Sequence, residues 1–298
     1  MDDAGDVPPE RAVLDDRPAA GPTATRMVLG ALLRRLRESR GISREQAGEV
    51  IRASQSKISR LELGRTGFKL RDVVDLYKLY GVTDQAEIAT LLGLAEQANS
   101  PGWWHAYGDV VPGWFEPYLG LEQAAGIIRT YEVQFVPGLL QTPEYARAVI
   151  ALGHSPQAQV ERRVELRIRR QEILRRTRPP YLWVVIDEAA LRRPIGGTAV
   201  MHAQLQHLIN LCDLPHVTIQ LMPFHAAGHA ATGGPITLMR LPEPELPDVV
   251  YLEQLTSALY PDRRDDIDYY RDIMNRLATQ ADPPTSTKAT LRDILKQL

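Results

Sequence analysis

Between residues 27 and 99 the apolar positions recur at helical spacing in five successive blocks. Leu29, Leu32, Leu33 and Leu36 follow the i, i+3, i+4, i+7 rule, which predicts a helix from about Met27 to Arg40 stopped by Gly41. Ser43 with Gln46 three residues later makes a capping box, so a second, short helix should run to about Val50. Ser54 is an N-cap for a third helix ending near Leu63, with Gly64 placed for the left-handed position beyond it. Val73, Val74, Leu76, Tyr77 and Leu79 mark a fourth helix from Leu70 to Tyr80. Thr83 or Asp84 caps a fifth, which reaches Asn99 through Ile88, Leu91, Leu92, Leu94 and Ala95.

The pattern then breaks. Residues 100–120 hold three of the four tryptophans and three prolines, with no period. So many rings left in water would make a large apolar patch, so the segment is expected to pack onto the next domain. A second reading has Trp103, Trp104, Trp114 and Tyr118, with His225, lining a ligand or partner pocket. Residues 122–130 read as helical or irregular, and Thr142 caps a helix with Pro143 in its first turn. A long charged helix is predicted from Ser155 to Arg178. Its apolar side carries Val160, Val164, Leu166, Ile168 and Leu174. After Pro179-Pro180 the period becomes that of strands, at 181–187, 216–224, 235–241 and 248–255. A helix from Thr198 to about Cys212 lies between the first two and suits a crossover joining parallel strands. The later strands, joined by short connections, suit antiparallel pairing. Two helices, Arg263 to Gln280 and Ser286 to Leu298, close the chain.

On the third helix Ile58 and Leu61 share one side, while Ser56, Ser59, Arg60 and Leu63 point the other way, flanked by Gln55 and Lys57. Amide, hydroxyl and guanidinium tips are the groups that read base edges in a major groove. Gln55 suits adenine, Arg60 suits guanine, and Ser56 and Ser59 suit shorter contacts. Arg44, Ser54, Lys57, Arg65 and Lys69 are the expected phosphate contacts. Leu63 is unexplained on that side unless it touches a thymine methyl. Ala47, small and on the preceding helix, lets the two helices approach closely. The stretch A-G-E-V-I-R-A-S-Q-S-K-I-S-R-L-E-L-G-R resembles the Xre or lambda-repressor-like class of helix-turn-helix.

Whole-chain charge is −2 and carries no message about nucleic acid. Its distribution does: from Arg26 to Tyr80, thirteen basic residues against six acidic ones leave +7. The arginines of 162–176 are interleaved with Glu161, Glu165 and Glu172 at helical spacing, which predicts pairing along a solvated helix face instead of a second DNA patch. Cys212 is the one cysteine, so a disulfide framework is excluded. Neither a long apolar run nor a basic-then-apolar N-terminus is present, so a cytoplasmic protein without membrane attachment is expected. Catalytic signatures are missing: there is no G-x-S-x-G, phosphate loop, G-x-G-x-x-G or H-E-x-x-H. His225 and His229 lack a third ligand nearby, and Asp187 reads as the cap of the turn just after it. No enzyme, cofactor or metal is expected.

The segments L-E-Q-A-A, V-P-G-L-L-Q-T-P-E-Y-A-R-A, V-I-D-E-A-A-L-R-R-P-I-G-G and V-Y-L-E resemble the C-terminal domain of bacterial antitoxin-like helix-turn-helix regulators widespread in actinobacteria. That resemblance implies a DNA-binding head in front of a domain that takes a small partner protein or a ligand. The expected chain is multidomain. A disordered acidic tail spans 1–24, an all-α five-helix lambda-repressor-like DNA-binding domain 25–99, and an aromatic-rich connector 100–120. An α+β domain with a small mixed sheet occupies 121–298. The expected function is a homodimeric, sequence-specific transcription regulator on a palindromic double-stranded operator, its C-terminal domain serving dimerisation and ligand or partner sensing. The alternative is an antitoxin-like protein that binds a small partner protein and uses DNA for autoregulation.

Overall fold

A computed structural model describes residues 21–153, 156–226, 228–231 and 233–298 of the chain. The acidic tail lies outside the described residues up to residue 20, as does the expected helix start at Ser155. Five helices build the N-terminal head: α1 (Pro22–Ser39), α2 (Arg44–Val50), α3 (Gln55–Glu62), α4 (Leu70–Leu79) and α5 (Gln85–Ala98). The capping box at Ser43 forms with both of its hydrogen bonds. Leu29, Leu33, Ile58, Leu61, Val73, Leu76 and Leu91 close around buried Ala47 to make the head's own core. Each such leucine contributes about 1.5–3 kcal/mol by leaving water.

Helix α1 starts five residues earlier than its leucine stripe announces. Pro22 sits in its first turn and Ala24, 1% exposed, enters the core of the second domain instead of the head's. Three-residue spacing of leucines shows only the part of a helix that faces one core, so the portion facing another core was invisible in the pattern.

The connector is not a tether. Trp103–Tyr107 forms a 3-10 turn and Glu116–Ala124 forms α6. Trp104, Tyr107, Val110, Val111 and Leu119 bury themselves against Leu166 in a satellite core. The second domain is a six-stranded mixed sheet in the order β3-β2-β1-β4-β5-β6. The strands are β1 (Ile127–Glu132), β2 (Tyr181–Asp187), β3 (Val217–Met222), β4 (Ile236–Arg240), β5 (Val249–Glu253) and β6 (Ala258–Leu259). The first three pair parallel, Ile127 with Tyr181 and Leu182 with Val217, while β4, β5 and β6 add antiparallel.

Helices α7 (Pro143–Ala151) and α8 (Gln157–Arg170) carry the chain from β1 to β2, and α9 (Glu188–Arg192) and α10 (Thr198–Leu211) carry it from β2 to β3. Parallel neighbours need such crossovers. One sheet face (Ile128, Val184, Ile186, Ile219, Met239) is covered by residues of α7, α10 and α12 (Thr287–Gln297). The other (Tyr131, Val185, Leu238, Val250) is covered by α11 (Arg264–Gln280). Burial on both faces explains why 181–187 reads as a continuous apolar run.

Two expectations change. Residues 127–132 form a strand, and it occupies the middle of the sheet; Arg129, Thr130 and Glu132 interrupt its apolar pattern. Thr130 bonds Thr237 across the strands at 3.1 Å, and Arg129 lies 4.9 Å from the Trp183 ring and donates to Asn275 Oδ1 at 2.8 Å. The charged helix ends at Arg170 and tightens into a 3-10 turn over Gln171–Arg175, so it does not reach Arg178.

Candidate nucleic-acid interface

The outward face of α3 is set by three separate devices. Ser54 accepts a hydrogen bond from the Lys57 amide at 3.3 Å and fixes where the helix begins. Gly64, at φ +66, ends it in a conformation that costs an L side chain. Gly30 on α1 admits the end of α3 closely: a Cβ there would lie 2.5 Å from the Leu61 carbonyl oxygen. With Ile58 and Leu61 buried at 1% and 2%, the opposite side must face out. Gln55, Ser56 and Arg60 are exposed and Ser59 is half-buried. The Arg60 guanidinium has no hydrogen-bond or ion-pair partner among the described residues. The second domain does not cover these tips.

The predicted phosphate contacts divide. The Lys69 side chain is exposed and its ammonium is without a partner among the described residues, and Ser54 serves as the cap. Lys57 gives its ammonium to buried Asp72 at 2.7 Å, tying α3 to α4. Arg44 spends its Nε on Glu62 at 3.1 Å, leaving its other nitrogens. Arg65 donates to the Tyr260 carbonyl at 2.9 Å and pairs with Asp262 at 3.2 Å, both in the second domain. A count of basic residues sees a field; the fold assigns part of that field to structure.

Glu62, the acid inside the recognition motif, is buried and escaped the sequence reading. Arg37 of α1 donates to both its carboxylate oxygens (2.5 and 3.1 Å), and Arg44 adds the third bond, so one carboxylate joins α1, α2 and α3. The hydrogen bond to Glu62 raises the Arg37 guanidinium above its ordinary value. Glu62 stands next to Leu61 on a helix side that periodicity reads as a core edge. That was the available signal.

The five residues expected to line one pocket do not meet. Trp104 belongs to the satellite core, with Trp103 at its margin. Trp114 and Tyr118 join the main core of the second domain. His225 is exposed on the loop after β3. Tyr118 instead heads a ladder of rings, 4.3 Å from Tyr251, which lies 5.3 Å from Tyr260, the residue whose carbonyl holds Arg65. The packing reading of the connector therefore describes its tryptophans, and the ladder links sheet to head.

Charge also collects where strands β1, β2 and β5 end, at Glu132, Asp187 and Glu253. All three strands run the same way, and ligand crevices of open sheets lie outside such carboxyl ends. Burial, and next the charge of Glu253, push the Glu132 carboxyl up to about 8. Burial lowers neighbouring Arg167 to about 10. Beside them Tyr131 bonds His229 Nε2 at 3.0 Å and makes a long 3.5 Å contact to Asp187, while His229 Nδ1 is buried without a partner among the described residues. Asp187 itself caps α9 by accepting from the Ala189 amide. No nucleophile stands beside the histidine in these hydrogen bonds, and no group of three metal-type ligands occurs among the described residues. No helix among them is long and apolar enough to cross a membrane.

Residues 28–91 match the helix-turn-helix domain family, and residues 115–293 match a second family described as a domain of unknown function, DUF5753. No curated protein and no solved structure matches the chain. The first match covers all of α2, α3 and α4 and supports a DNA-binding regulator. The second covers the whole sheet and more than half of the chain. The chain thus belongs to the DUF5753 family, with a helix-turn-helix domain placed ahead of the family's domain.

Proposed function

We propose that the protein is a dimeric, sequence-specific transcription regulator that lays α3 in the major groove of a palindromic operator. One observation carries the reading: the outward face of α3 offers Gln55, Ser56 and unpaired Arg60 to solvent on a helix held at both ends. Gln55 is suited to a bidentate contact with adenine and Arg60 with guanine, Ser56 and Ser59 adding shorter bonds. Lys69 and the remaining nitrogens of Arg44 supply phosphate contacts, which fix register without reading sequence. Lys57 and Arg65 serve the fold first. A single head spans few base pairs, so two copies on half-sites about one helical turn apart complete the site. The C-terminal domain then provides the dimer contact and the regulatory input.

Footprinting on genomic fragments tests the reading. Two protected half-sites in inverted repeat, lost on mixing in excess operator but not random DNA, are expected. Uniform, sequence-independent protection would overturn it.

A second reading is favoured by the outer sheet edge, where Leu255 and Leu259 stand exposed beside the two-residue strand β6. An exposed strand edge is a template for a partner chain. In that reading the domain holds a small partner protein and DNA binding serves autoregulation. Co-expression with a small protein encoded next to the gene, followed by Leu255→Glu, separates the two: only the partner reading predicts loss of a complex.

A further inference from the structure

A large cleft lies between the two domains, away from the base-reading face. One wall is α1 together with Leu63, the C-cap of α3; the other is the 243–247 turn that joins β4 to β5. Its volume is about 630 Å³, inside the range of roughly 300–1,000 Å³ typical of small-molecule sites, which favour domain boundaries. Met27, Val28, Ala31, Leu32, Leu63 and Leu246 give it an aliphatic lining. Leu63, which has no use on a base-reading face, finds its place here.

The charges on the two walls are unequal in kind. Glu38 is paired with Arg34, and Glu62 with Arg37 and Arg44. That leaves Arg35 on the head wall and Glu243 and Glu245 on the turn without ion pairs among the described residues. Arg35 and Glu245 are exposed, where water satisfies them. Glu243 is half-buried, and its Oε2 is buried without a hydrogen-bond partner among the described residues. A buried, unpaired carboxylate oxygen is costly, whereas an exposed charge gains little from a partner. The group the cleft calls for is therefore a cation at Glu243, attached to an aliphatic body.

We propose that this cleft is an effector site for an amphipathic primary amine, its ammonium on Glu243 and its alkyl chain along Met27, Ala31, Leu32, Leu63 and Leu246. It rests on the DNA-binding reading in one respect: occupation regulates the base-reading face. Leu63 caps α3, and Gly64 after it abuts the backbone of Met27, with a Cβ at Gly64 falling 2.7 Å from the Met27 nitrogen. A chain wedged between α1 and the turn therefore bears on the end of the recognition helix and on the angle between the domains.

The full-length chain is titrated at pH 7 with n-octylamine, n-octanol and n-octanoate by calorimetry, and its affinity for operator is read with and without amine. Octylamine should bind about tenfold or more tightly than octanoate, and Glu243→Gln should erase that preference. Ala31→Trp and, on the opposite wall, Leu246→Trp fill the cleft and should each weaken amine binding about tenfold. Two fillers on separate walls guard against one of them misfolding. Saturating amine should shift operator affinity by about threefold or more in the wild type and leave Ala31→Trp unmoved.

Absence of amine binding, octanoate binding as tightly, or indifference to both fillers would each overturn the site. Amine binding only after dilution to monomer would assign the face to a second copy of the chain and also overturn it. Amine binding with unchanged operator affinity would overturn the regulation alone. A chain that binds amine but no DNA would instead remove the transcription-regulator reading.

Discussion

Helices α3 and α8 both carry arginines toward solvent, and they differ in where the guanidinium groups end. On α3, the Arg60 guanidinium has no partner among the described residues. On α8, Arg162 pairs with Glu165 and lies 4.2 Å from the Tyr107 ring, and Arg170 is buried in a two-pronged bond to Glu122 (2.8 and 2.7 Å). Arg169 lies 4.9 Å from the Trp103 ring. Richness in arginine therefore does not by itself identify a DNA surface, because most of the α8 guanidinium groups are taken up by carboxylates and rings of the fold. The helix with more positive charge is the one that glues the connector to the sheet domain.

Breaking the buried bond gives the largest effect. Arg170→Ala leaves Glu122 charged, buried and unpaired, and should cost about 3–5 kcal/mol of unfolding free energy in urea melts. An unchanged melt would show that α8 is less committed than its geometry states. Arg60→Ala should leave the melting temperature alone. It should cost about 1–3 kcal/mol of operator affinity and relax preference at one base position, as read by a randomised-site selection. Equal loss on random DNA would erase the distinction between the two helices.

Glu132→Gln sharpens the comparison from the sheet side, because the Glu132 carboxyl is raised from 4.5 to about 8. Between those values the folded chain keeps a proton that the unfolded chain has released, so native stability falls as pH rises through the window. Glutamine has no proton to lose. The melting temperature of the variant relative to wild type should therefore climb from pH 5 to pH 8, by an amount on the order of 3 kcal/mol. A difference independent of pH would show that Glu132 ionises normally. Smallest of all, Arg162→Ala should leave stability nearly unchanged, since its ion pair is solvent-exposed. A loss of DNA binding in this variant would make α8 a nucleic-acid surface after all.

The head was legible in sequence because every signal that fixes it is local. Caps at Ser43 and Ser54, the stop at Gly64 and the anchors Ile58 and Leu61 lie within a few residues of what they control. Strand β1 was not, because Thr130 bonds Thr237 and Arg129 lies over Trp183 and donates to Asn275, all more than fifty residues away. The fate of the basic field was hidden for the same reason. Lys57 and Arg65 look alike in sequence to Lys69, and only Asp72 and Asp262, brought in by packing, set them apart. The interdomain cleft needed both Leu63 and Glu243, which no window of sequence holds together.

Helix α1 roots Ala24 in one hydrophobic core and Leu29 in another. A head excised at residue 100 would thus carry a bare apolar stub where its first turn had been seated. Such a fragment is expected to clump or fray, whatever its grip on an operator. The two bodies share a single spar.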